Sequence, residues 1–595
     1  MLASNTPRRR FANLAMVCLA TVALPTAPAW AQKTKTKHPA PIAAASSSFT
    51  VDIPTIDAVD SNVDEATLRD IFSGKIVDHA AALADLTAAS ITIPEITLSG
   101  STLLDGVQTE GTIVFSDIVL SNVVDGVAEK ITLGGATTDS HGSTASFDAM
   151  SASTFDIGGV LGLYGLVDAG GQSDFKTIYT DLAFAGGSID TPDVQCTIGS
   201  ASVAEFKARP LKHSFADVMA ITSAMDQNQD PDPKLLGDFM RMYVDMLTAF
   251  ETSPVQFGGF DCAGVDDQDR PVTFSVAGLE MGGMTPGFYP SFTIDGLDIG
   301  VEEDGHVSFG SAMIKGMDLS GPIAAIEAAP EAIDEAWLTE NGRALIPAFE
   351  GFSFSDVAVD MPDPDAPAER IVGGIGSFDL TLGSYRHGIP TAIDMNATHI
   401  TADIPADTQD EQLAQFLALG LKSIDVGFAV DALWNEAEDQ IDIRDISVTG
   451  ADLATVKLAG TISNVTETVF GLDLDAATAA AAKIALADLK LDILDQGLSD
   501  LIIAQVATEQ GTDPATLRTV YAGLAQGTVV SILAGAADAQ KLGAAINSFT
   551  SGKAKSLIID MTAKAAEGLS LEDFYAAQTD PASLIDKVTI DATAK

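Results

Sequence analysis

Basic residues are scarce in this chain. Its 595 residues carry 32 Lys and Arg against 83 Asp and Glu, a formal net charge of −51. A polyanion has no surplus cations to exchange for the counterions condensed on a phosphate backbone, so nucleic acid is excluded as a partner. Docking on anionic lipid headgroups is disfavoured for the same reason. Cysteine is rarer still, with 3 residues, of which Cys18 falls in the leader described below. That leaves Cys196 and Cys262 as one candidate disulfide, and no His is spaced to make a zinc site with them. Only 3 Trp and 7 Tyr are present, a thin supply for an aromatic-lined sugar cleft. Past the first thirty residues no apolar run reaches the length of a membrane-spanning helix, so no transmembrane span is expected in the mature chain.

Catalytic signatures are missing as well. The 7 His include no H-x-H and no H-E-x-x-H pair. No G-x-S-x-G elbow singles out a serine. Ser173-Asp174-Phe175-Lys176 fits S-x-x-K but lacks its companion motifs, and Gly74-Lys75 and Gly552-Lys553 lack the rest of a phosphate loop. No catalytic residue and no cofactor site is assigned. A hydrolase assembled from dispersed Ser, His and Asp is the enzymatic alternative that remains open.

What is present begins with a leader. Arg8, Arg9 and Arg10 precede an apolar stretch over 11–24, Pro25 breaks it, and Ala29-Trp30-Ala31 supplies a small-x-small cleavage pattern. Cleavage is expected after Ala31, with a periplasmic location. Arg8 to Phe11 also fits a twin-arginine motif, and Lys33, Lys35 and Lys37 follow the cleavage point, so the general and twin-arginine routes both stay open. Residues 32–48, with Ser46-Ser47-Ser48, read as a linker.

From Phe49 onward two periodicities alternate. Period-two segments at 91–98, 113–120, 292–299, 441–448, 456–462 and 557–561 predict strands with one buried and one wet face, punctuated by Gly, Asn and Asp. Helical stripes appear at Leu235, Phe239, Met242, Met246 and Phe250, and at Ile323, Ile326, Ile333 and Trp337. Asp513-Pro514 and Asp538 open two more helices. Helices are expected around 213–250, 321–347, 406–420 and 472–550. Phe115-Ser116-Asp117-Ile118-Val119 matches Phe354-Ser355-Asp356-Val357-Ala358, and Ala128 to Ile131 matches Ala368 to Ile371 in nearly the same register. This predicts two related halves: 49–265, with helices near 213–250, and 321–595, β-rich and then helical, joined by connecting strands over 266–320.

Three local features bear on ligands. Asp226, Asn228, Asp230 and Asp232 imitate the spacing of a calcium loop, although Pro231 stands where its glycine belongs. Gly158 to Gly165 is a dense glycine cluster, either a close-packed helix or a loop that lets a ligand approach. The Met and Phe stripe at 235–250 makes either a core or a groove for acyl chains.

From Leu421 the chain resembles a family of exported, β-rich, functionally uncharacterised proteins of alphaproteobacteria. The resemblance rests on Val426-Gly427-Phe428 through Trp434-Asn435, on 441–448, on Leu458 to Ile462, on Asp495 to Leu498, on 504–518 and on Thr579-Asp580-Pro581. A looser similarity is to AsmA-like envelope proteins, which implies long curled sheets that cradle lipid. The fold expected is α+β and β-dominated, with long antiparallel sheets carrying helices on one face. The function expected is a non-catalytic periplasmic envelope protein holding a hydrophobic, lipid-like small molecule. The alternative is a structural protein of the envelope that binds another envelope protein.

Overall fold

The computed structural model describes residues 46–595 except 105–106, 141–142, 168–173, 214, 228–231, 267–268, 302–304, 363–369, 407, 409, 534–536 and 580–581. The chain divides into two compact units, one of residues 1–47 with 102–108 and the other of 48–101 with 109–595. The second holds the β-dominated α+β fold described below.

Its strands join one antiparallel sheet of 29 strands, with a small three-stranded ribbon beside it. Each pass of the chain across the sheet pairs antiparallel with the passes on either side of it, although a pass is often broken into two strands. The chain thus weaves from Val107–Val124 through Phe292–Val301 to Val588–Ala594 without a crossover. In the first part many long strands are split in the middle. Met150–Asp156 pairs with Lys176–Phe184, for instance, while Ser143–Phe147 pairs with Gly187–Asp190 on the same course. Because strand direction alternates, the connections alternate between two rims. One rim carries helical insertions: Ile157–Leu163, Phe215–Gln227 with Pro233–Leu247, Ser320–Ala328 with Glu335–Asn341, and Leu474–Ala481. The other carries short turns until Glu411–Ala418 and the long insertion Leu498–Gln510, Pro514–Ile532 and Ala537–Thr550.

The strands expected from alternation all form. So do the helices opened by Asp232-Pro233 and Asp513-Pro514, whose aspartates accept hydrogen bonds from the first free backbone N–H groups. Two expectations need correction. The stripe from Ile323 to Trp337 belongs to two helices, because Ala329 turns to extended backbone ahead of Pro330. The expected helical stretch 472–550 contains a sheet strand, Ala485–Asp495, lying between Ala454–Ser463 and Ser556–Ala563. Its alternating Leu489, Leu491 and Ile493 outweigh the alanine-rich run before it.

A recurring irregularity runs through the strands. Phe354 pairs with Phe378 and Val357 with Ile375 in one unshifted register, with Asp356, in the left-handed region at φ 52°, and Gly376 left unpaired between them. His399 takes the same conformation at φ 50° and Asp117 at φ 52°. Each faces a glycine on the neighbouring strand: a Cβ on Gly310 would come 2.8 Å from the Asp356 Cβ, one on Gly376 3.0 Å from that of His399, and one on Gly134 2.8 Å from that of Asp117. Short polar side chains tolerate this backbone, and the glycines leave it room. The matching segments at Phe115 and Phe354 share a local feature, an aspartate at positive φ opposite a glycine. They lie an odd number of antiparallel steps apart and run in opposite directions.

The sheet is sealed at its ends. At the first, the helix Glu65–Phe72 packs Leu68 and Ile71 with Leu86, Ile91 and Ile93, all 2% exposed or less. At the last, the helix Ala537–Thr550 sets Leu542 and Ala545 on Leu557 and Ala592. On the rim of insertions, Trp434 donates its indole N–H to the Val465 carbonyl at 2.7 Å and packs against Phe470.

These aspartates generate a prediction. Asp356→Gly should leave stability within about 0.5 kcal/mol, since glycine takes positive φ without strain. Asp356→Val should cost about 1–3 kcal/mol, because a β-branched residue is strained there. Urea denaturation followed by circular dichroism measures both.

Candidate functional site

The strand register assembles a feature no single segment contains. Starting at Leu133, each directly opposed residue on the next strand is apolar. The row runs through Met150, Phe184, Ala201, Phe257, Leu279 and Ile294. It continues through Ala312, Phe354, Phe378, Ala397, Phe428, Val448 and Val456, and ends at Ile493, Leu557 and Ala594. Successive residues of a strand point to opposite faces, so the neighbouring row lies on the other side of the sheet. There Ser353 opposes Asp379, then Asn396, Ala429, Ser447, Lys457 and Asp492. One face is apolar across the whole sheet and the other is wet and acidic.

Ion pairs hold the wet face. Lys315 reaches Asp379 at 2.7 Å, Lys457 reaches Asp445 at 2.6 Å, and Arg370 reaches Asp360 at 2.6 Å. His306 bonds Asp298 at 2.7 Å and His399 bonds Asp425 at 3.1 Å. These exposed pairs contribute little to stability.

On the apolar face, aromatic rings line up across strands. Phe354 and Phe378 stack with centroids 5.0 Å apart, Phe352 stacks on Phe378 at 5.3 Å, and Phe428 meets Phe378 edge-on at 6.5 Å. Cys196 and Cys262 belong to a second apolar row, between Ile189 and Phe274, and their sulphurs are bonded. None of the first row from Leu133 to Val456 belongs to a buried core cluster among the described residues. Met150 is 41% exposed, Val456 42% and Val448 57%, whereas Leu557, under its helix, is 5% exposed. The stretch from Met150 to Val456 measures roughly 60 Å at about 4.8 Å per strand.

The local candidates fall elsewhere. Asp232 caps the helix Pro233–Leu247, accepting from Lys234 N and Leu235 N at 3.0 Å. Asp226 lies in the helix Phe215–Gln227, while Asn228 and Asp230 lie outside the described residues. Among the described residues no group of three or more His, Cys, Asp or Glu is set to hold a metal. Of the S-x-x-K motif, Ser173 lies outside the described residues. The glycine cluster forms the helix Ile157–Leu163, where a Cβ on Gly159 would come 2.8 Å from Ile178 Cδ1. The Met and Phe stripe packs inward: Met242 is 3% exposed, and Phe250 stacks on Phe206 at 5.8 Å. No helix among the described residues is long and apolar enough to cross a membrane.

Two buried carboxylates serve the scaffold. Asp245, 2% exposed, accepts from Lys212 N at 2.7 Å, and its second oxygen lies 2.8 Å from the Arg209 guanidinium without hydrogen-bond alignment. It ties the helix Pro233–Leu247 to the chain leaving Ala201–Ala208. Asp495 ends the strand Ala485–Asp495. Burial pushes its carboxyl up, but hydrogen bonds from Ser499 Oγ at 2.6 Å, Ser499 N at 3.0 Å, Lys555 Nζ at 3.1 Å and Gly497 N at 3.3 Å outweigh burial and hold it at about 2.

Removing one partner of the first pair leaves a buried charge alone, so Asp245→Ala should cost about 3–5 kcal/mol in denaturant titration. For Asp495 the folded state holds the proton less tightly than the unfolded chain. Its contribution, about 2 kcal/mol, is complete above the ordinary carboxylate range and fades as pH falls toward 2. The stability gap between wild type and Asp495→Asn should close over that interval.

A family model described as "Uncharacterized protein" matches residues 447–595, from the strand Gln440–Gly450 to the final strand. No curated protein and no solved structure is similar to the chain.

Proposed function

We propose that the chain is a non-catalytic envelope protein of the periplasm that holds a hydrophobic, lipid-like ligand along the apolar row. The observation that carries this is the unbroken apolar row from Met150 to Val456, exposed at Met150, Val448 and Val456, half-buried between them and buried at Ala397. Apolar area left in water costs about 25 cal/mol per Å² relative to burial, and an acyl chain laid on it recovers that free energy. An apolar row of this length with exposed members at both ends marks a binding surface. Its length exceeds the roughly 15 Å of one leaflet's hydrocarbon, so it offers room for more than one chain. The acidic face keeps the loaded protein in water and repels anionic surfaces.

The interaction-protein reading draws on a different observation. The helix Pro514–Ile532 exposes Val520, Leu524 and Ile532, each above half, and carries one charged residue, Arg518. An outward apolar helix face suits a protein partner.

Mass spectrometry of organic extracts from natively purified protein should yield acyl-containing species in stoichiometric amount. The variant Val448→Lys with Val456→Asp places an opposed charge pair on exposed row positions. It should fold with a shift of about 1 kcal/mol or less, yet lose the bound species. A clean extract from wild type would end the ligand reading.

A further inference from the structure

The apolar row does not stop where its exposure stops. From Val448 and Val456 it passes in register to Ile493 and Leu557, and there the helix Ala537–Thr550 lies on it. Exposure falls along that one row from 57% at Val448 and 42% at Val456 to 5% at Leu557. The chemistry of the surface does not change; only its cover does. The helix meets the row through Leu542 and Ala545, side chains as non-directional in their contacts as an alkyl chain.

The same helix belongs to an insertion whose two stems stand side by side. Leu494 pairs with Ser556, and Asp495 N donates to the Lys555 carbonyl at 2.8 Å. Each stem carries a glycine in the left-handed region, Gly497 at φ 154° and Gly552 at φ 75°. A charged knot sits between them: Lys555 bonds Asp495 at 3.1 Å and Asp500 at 3.2 Å, and Arg518 pairs with Asp500. Outside this knot, the polar ties from the helix to the sheet among the described residues are the exposed pair of Lys541 with Asp591 and a 3.4 Å hydrogen bond from Ile590 N to Asp538.

We infer that the helix Ala537–Thr550 is the chain's own occupant of the ligand face, and that a long apolar ligand competes with it and lifts it from the sheet, while the start of the insertion at Ser499 and Asp500 stays tied to Asp495 and Lys555. The inference rests on the ligand reading above. In the empty protein the helix shields the end of the row. When a ligand extends past Val456, it takes over the contacts of Leu542 and Ala545, while the knot at Asp495 keeps the insertion attached.

The test uses the full chain and the rod-shaped apolar fluorophore diphenylhexatriene. Fluorescence reports binding, and hydrogen–deuterium exchange reports the helix. At saturating probe, amides in 537–550 should exchange several-fold faster, while those in 485–495 stay protected. Leu542→Ser weakens the cover and should tighten probe binding about tenfold, the equivalent of most of one buried leucine. Lys541→Ala removes only the exposed pair and should tighten it about twofold; it serves if Leu542→Ser folds poorly. Bound probe with unchanged exchange over 537–550 and unchanged affinity in both variants would overturn the moving cover alone. Absence of probe binding in wild type would overturn the ligand face and the cover together.

Discussion

The structure depends on keeping one face of a very wide sheet in phase. A strand alternates its side chains strictly, so a single inserted residue would turn every following apolar side chain to the wrong face. Here Asp117, Asp356 and His399 interrupt the alternation at positive φ, each close against a glycine, and the pairing register carries on unshifted past Asp117 and Asp356. Apolar residues therefore oppose one another before and after the interruption at Asp356.

The rest of the fold follows from having two unlike faces. The wet face gathers serine, threonine and aspartate with a few Lys–Asp pairs. The apolar face is closed at both ends by helices and sealed at the rim by Trp434 and Phe470. Unpaired sheet edges invite association. At the last strand Asp538 meets the outward N–H of Ile590, so an acidic side chain stands where another strand would add.

Buried charge is used sparingly, and where the chain changes direction. Asp245 joins a helical insertion to the rim, and Asp495 joins a strand to the insertion that follows it. Each carboxylate accepts from backbone N–H and lies beside a cation, which makes burial tolerable. The disulfide links two strands far apart in sequence, with a separation of 66 residues, within the apolar face itself.

Much of the local structure was legible in the sequence. Alternation marked the strands at 91–98 and 441–448 with one buried and one wet face, and Asp-Pro pairs marked helix starts. Residue spacing could not place Ala485–Asp495, where an alanine-rich approach masked a strand. The calcium-like spacing at Asp226 to Asp232 was weakly informative, since a carboxylate that caps a helix and one that binds a cation look alike in sequence. The FSD segments advertised a likeness whose shared feature, an aspartate at positive φ, needs backbone angles to be seen. By itself the chain determined which residues alternate, where helices begin and how much negative charge surrounds them, because those depend on neighbours within a few positions. Only the tertiary structure decided which strands oppose which, and so that Phe354, Phe378, Phe428 and Val448 form one row and Cys196 meets Cys262. Register between distant strands is set by hydrogen bonds and packing across the sheet, and no local pattern encodes it.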